Sequence, residues 1–129
     1  MPSGLPSVTG DVLTAANYNS LVAFTLNAQT GTTYTSVLND SYQVLVTMSN
    51  ASANAFKIPT NASVAHPIGT VITVLNIGAG LTTISAVTSG TTTILSAGAT
   101  AAAPTVAQYK SAACIKTGTD AWYVVGAIA

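Results

Sequence analysis

The feature that most constrains this chain is how little charge it has to place. Its 129 residues include three lysines (Lys57, Lys110, Lys116) and three aspartates (Asp11, Asp40, Asp120), with neither Glu nor Arg. About a quarter of an ordinary soluble domain is charged; here the share is 5%, against 49% hydrophobic. The surface must therefore be built from Thr, Ser, Asn and Ala, which suits a fold that neighbours largely cover. Most catalysis and most nucleic-acid binding need clustered charge. With a formal net charge of zero, nothing steers the chain toward DNA, RNA or anionic lipid. The composition points to a part of an assembly and away from an enzyme, a nucleic-acid binder or a membrane protein.

The length suits one domain with one core. No apolar run approaches the roughly 18 to 20 residues that span a bilayer. The opening Met1-Pro2-Ser3-Gly4-Leu5-Pro6 does not read as a secretory signal, having neither a basic start nor an apolar stretch. Cys114, the single cysteine, has no partner for an internal disulfide and reads as a small buried apolar residue.

Two segments are expected. Residues 1–25 read as an N-terminal arm: Pro2, Gly4, Pro6 and Gly10 keep its start extended. A short helix follows around Ala15 to Leu21, with Thr14 as its N-cap and Leu13 and Tyr18 as a hydrophobic staple. Too short to stand alone, it needs a partner, and the arm's apolar residues Leu5, Val8, Leu13, Tyr18, Leu21 and Phe24 are the candidate partner or subunit interface. Residues 26–129 read as a β domain. Tyr42 to Met48 alternates at period two, and Thr70 to Ile77 is a β-branched run that reads as a strand covered on both faces. Leu81 to Val87 and Thr91 to Leu95 follow Gly-rich turns, and residues 97–104 read as a loop. The C-terminal stretch reads as a hairpin, Ser111 to Thr117 and Trp122 to Ile128, turning at Gly118-Thr119-Asp120. Such spacing predicts an all-β fold, a single β-sandwich or jelly-roll-like domain with an extended arm and one short helix.

Chemistry is hard to assemble from these residues. Asp40 and Asp120 fall at turns, where Asp accepts backbone hydrogen bonds. His66 is the one candidate base, and a structural role suits it better than catalysis. No spacing suggests a metal site or a cofactor cradle, so no catalytic, metal or cofactor-binding residue is assigned. Trp122 opens an apolar strand and reads as core.

The run Ile58-Pro59-Thr60-Asn61, continuing through Pro67-Ile68-Gly69-Thr70, Ile72, Val74 and Gly78-Ala79-Gly80, resembles a pattern of virion surface proteins of tailed bacteriophages. The close Lys116-Thr117-Gly118-Thr119-Asp120-Ala121-Trp122, ending at Gly126, is similar to that family's ending. Thr9 to Asn19 also resembles an attachment segment of fibre proteins. His66 departs from the pattern, which more often has an aromatic there. The resemblance covers about residues 42 to 129. It implies a trimeric β domain on the capsid exterior, made in the host bacterial cytoplasm. The family contains head-decoration (cement) proteins and fibre tips. The short chain and its arm favour decoration, with the major capsid protein and further copies of itself as partners and no small-molecule substrate. The alternative is a fibre-tip module contacting bacterial surface glycans.

Overall fold

A computed structural model describes residues 14–15 and 24–129. Ten strands form two sheets. In chain order they are β1 (Thr25–Gln29), β2 (Thr33–Thr35), β3 (Val44–Met48), β4 (Asn54–Ile58) and β5 (Val71–Asn76). They continue with β6 (Thr82–Ala86), β7 (Thr93–Ser96), β8 (Thr105–Val106), β9 (Lys110–Gly118) and β10 (Ala121–Gly126). A 3-10 turn, Leu38–Ser41, lies between β2 and β3. The six-stranded sheet has the order β1-β3-β5-β9-β10-β7, and the four-stranded sheet β2-β4-β6-β8. The all-β expectation is met.

The connectivity is not that of a jelly roll. Successive strands β1 to β6 alternate between the sheets, so the chain winds as three coils and each strand lies parallel to the one a coil earlier. Jelly rolls and immunoglobulin sandwiches pair antiparallel strands; a parallel pair built by winding is the habit of a short solenoid. The second and third coils hold one register throughout. Leu45 to Met48 lie beside Thr73 to Asn76, and Asn54 to Ile58 beside Thr82 to Ala86, partners 28 positions apart as in the Asn54–Thr82 and Lys57–Ser85 pairs. Antiparallel β8 and β9 stop the winding, and the expected β9–β10 hairpin seats itself between β5 and β7.

The arcs joining the sheets stack as closely as the strands. A Cβ on Gly78 would lie 2.3 Å from the Asn50 nitrogen, and one on Gly80 only 1.9 Å from the Ser52 oxygen. Glycine is required here because backbone rests directly on backbone. Buried Asn76 fastens the arc from within. Its Nδ2 donates to the carbonyls of Gly80 (2.8 Å) and Val106 (2.9 Å), and its Oδ1 accepts from the Gly78 amide at 3.0 Å.

The two sheets share one apolar core of alternate residues. Val44, Val46, Met48, Ile72, Val74, Cys114, Trp122 and Val124 come from the larger sheet, and Phe56, Ile58, Ile84 and Val106 from the smaller. Trp122 is 2% exposed, so it is a core residue as its position suggested. Burial alone pushes the Cys114 thiol up to about 12, which keeps it protonated and unreactive.

The stacked arcs generate a direct prediction. Gly80→Ala should lower unfolding stability by about 1 to 3 kcal/mol or more, the scale of an overpacked site. Gly90→Ala, where an added Cβ meets nothing within 4 Å, should change it by less than about 0.5 kcal/mol. Urea denaturation compares them; equal midpoints would contradict the stacking account.

Candidate interaction surface

Two buried polar nodes hold the connections over the core. In the first, Asp40 is 1% exposed and its carboxylate accepts from Tyr34 OH (2.6 Å), Asn27 Nδ2 (3.0 Å) and the Val37 amide (3.0 Å). Burial, reinforced by the hydrogen bond to Asp40, pushes the Tyr34 hydroxyl up to about 12. Asp40 thus closes the 3-10 turn, as its turn position suggested, and ties it to β1 and β2.

The second node centres on His66 and Lys116. His66 is buried, with Nε2 3.0 Å from Ser36 Oγ and Nδ1 2.5 Å from Ser41 Oγ. A neutral imidazole satisfies both, donating from one nitrogen and accepting at the other. Its ring meets Trp122 edge to face at 5.6 Å. Lys116, on the inward face of β9, donates to Asn61 Oδ1 (2.6 Å) and to the His66 carbonyl (2.7 Å). Asp120 accepts from the Asn61 amide at 2.8 Å and from Thr92 Oγ1 at 3.3 Å. Burial, then the Lys116 charge, depress the His66 pKa below 6.5, with Asp40 opposing. Burial likewise lowers Lys116, with Asp120 opposing. Together these groups lash residues 59–70 to the hairpin. With the ring nitrogens occupied and the side chain sealed, His66 is not presented to a substrate. Among the described residues no group of three or more His, Cys, Asp or Glu converges as metal ligands would, and no helix is long and apolar enough to cross a membrane.

The outward faces of the two sheets differ sharply. Ladder partners point the same way, so register gives each face rung by rung. On the smaller sheet Thr33, Ala55, Thr83 and Thr105 form one rung, and Thr35, Lys57 and Ser85 the next. On the larger sheet one rung is Leu26, Leu45, Thr73, Ala113 and Val125, and another Val71, Ile115, Tyr123 and Leu95. None of these carries a charge. Leu26 is 61% exposed, and Val71, Leu95, Tyr123 and Val125 between 44% and 49%. The smaller sheet presents hydroxyls to its surroundings; the larger presents a wide apolar field.

This corrects one expectation. The strand at Val71–Asn76 reads from sequence as covered on both faces, yet within the described chain only Ile72, Val74 and Asn76 are buried, while Val71 is exposed and Leu75 half-buried. The apolar outer positions were visible in the sequence, but the register that gathers them was not. Of the interface residues named from sequence, Leu5, Val8, Leu13, Tyr18 and Leu21 lie outside the described residues. Phe24 is described, 62% exposed, and adjoins the edge strand that carries Leu26. No family model, curated protein or solved structure matches the chain.

The His66 node predicts a pH response. Its folded-state pKa is depressed, so its contribution is complete above about 6.5 and is lost as pH falls through the folded value. Melting temperature over about pH 5 to 8 should therefore decline on the acid side in the wild type and much less in His66→Gln. Identical slopes would remove His66 as the cause.

Proposed function

We propose that this protein is a structural component of a tailed-bacteriophage virion. It is a capsid decoration (cement) protein that lies on the outer head surface as a homotrimer, bound to the major capsid protein. One observation carries the reading: the second apolar face of the larger sheet, uncharged and uncovered by the described chain. Contiguous apolar patches of this kind mark protein interaction sites. The resemblance of residues 42–129 to virion surface proteins supplies the setting.

Magnitudes favour an assembly with many shared contacts. Fully burying a large apolar side chain gives roughly 1.5 to 3 kcal/mol. Five side chains already about half buried therefore offer on the order of 5 kcal/mol per subunit. Association costs about 4 to 15 kcal/mol in lost rigid-body freedom, so one such contact is marginal and several made together are strong. A closed trimer on a repeating lattice supplies them together, and a neutral field can face itself or a capsid subunit without burying an unpaired charge. Such contacts change little with salt. The arm, residues 1–25, adds apolar groups for the capsid to cover.

Copy number tests the reading. Quantitative mass spectrometry of purified particles of the encoding phage should find hundreds of copies per virion. A few to tens would overturn decoration in favour of the fibre tip.

A further inference from the structure

Where β6 of the smaller sheet and β7 of the larger come side by side, the chain leaves a cleft of about 570 Å³. Ser85, Ser89, Thr93, Ile94 and the run Ala101 to Ala103 line it, and Lys57 enters from β4. Lys57 Nζ donates to Ser85 Oγ at 2.8 Å. Among the described residues no acidic side chain lines the cleft. The ammonium, on a half-buried side chain, has three donors and in this wall meets one neutral acceptor.

We propose that this cleft binds a hydroxylated organic carboxylate, of the class of an acidic mono- or disaccharide containing a uronic acid, with the carboxylate against Lys57. Each part of the wall matches part of such a ligand. The ammonium supplies the counter-charge and charge-assisted hydrogen bonds. Ser85, Ser89 and Thr93 each carry a hydroxyl that both donates and accepts, as ring hydroxyls require. The three alanines, exposed or half-buried, provide an apolar bed for the C–H face of a pyranose. The volume falls within the roughly 300 to 1,000 Å³ of small-ligand sites. A phosphate dianion suits the cleft less well, since one lysine without arginine or a helix N-terminus leaves half its charge uncompensated. The proposal is independent of the capsid reading, because the cleft lies apart from the apolar rungs except at the β7 edge.

The test is a titration of the ¹⁵N-labelled protein by NMR with D-glucuronate, D-glucose and hexanoate in turn. Glucuronate should shift the amides of Ser89 and Ala101 to Ala103 in a saturable way. Glucose and hexanoate should bind at least about tenfold more weakly, as should glucuronate to Lys57→Gln, since a hydrogen bond to a charged group is worth about 1.5 to 3 kcal/mol. Should Lys57→Gln fail to fold, Thr93→Val, which removes one hydroxyl from the rim, carries the same test. Absence of saturable shifts, equal binding of glucose, equal binding of hexanoate, or full affinity in the folded variant would each overturn the proposal.

Discussion

The structure depends on a larger sheet whose strands are apolar on both faces, only one of which the described residues cover. The covered face is made by winding. Each sheet receives a strand from every coil, and the inward residues of both sheets close over a common core containing Val46, Phe56, Ile84 and Trp122. The described residues leave the other face of the larger sheet uncovered. Its rungs from Leu26 to Val125 and from Val71 to Leu95 have hydrophobic and small residues where a solvated sheet places charges. The smaller sheet shows that the same chain can build a hydroxyl-rich exterior. The apolar face is therefore a local property and no mere by-product of composition.

The scarce charges are committed to holding loops. Asp40 fixes the 3-10 turn, Asp120 receives the Asn61 amide, and Lys116 bridges Asn61 and the His66 carbonyl. Burying these groups is tolerable only because each is well supplied with hydrogen bonds. Of the described charged residues, Lys57 and Lys110 remain outside the two nodes, and Lys57 sits in the cleft. A surface left this neutral lacks the repulsion that keeps most proteins apart, consistent with close packing against like neighbours.

Part of this was legible in the sequence. The strands at Val44–Met48, Val71–Asn76 and Thr82–Ala86 and the C-terminal hairpin follow from alternation and turn residues, and Trp122 was readable as core. The coil was not. Its repeat is carried by backbone register and by the close approach of Gly78 and Gly80 to the preceding arc, while the side chains at equivalent positions differ: Met48 beside Asn76, Phe56 beside Ile84. β2 and β8, of three and two residues, are too short to show a period. The candidate surface escaped for a related reason. Leu26, Val71, Leu95, Tyr123 and Val125 are scattered over a hundred positions, and only the strand order β1-β3-β5-β9-β10-β7 brings them to one face.

The central claim is that this face is buried between neighbours in the working state. Light scattering coupled to gel filtration on the full chain tests it most directly, comparing the wild type with the double variant Val71→Lys, Tyr123→Lys. Both positions lie on one outward rung and about half exposed, so the substitutions leave the core intact and put charge where a neighbour would sit. The account predicts a trimeric mass for the wild type and a monomeric mass for the variant at an unchanged melting temperature. A monomeric wild type at tens of micromolar, or a folded variant that stays trimeric, would contradict it.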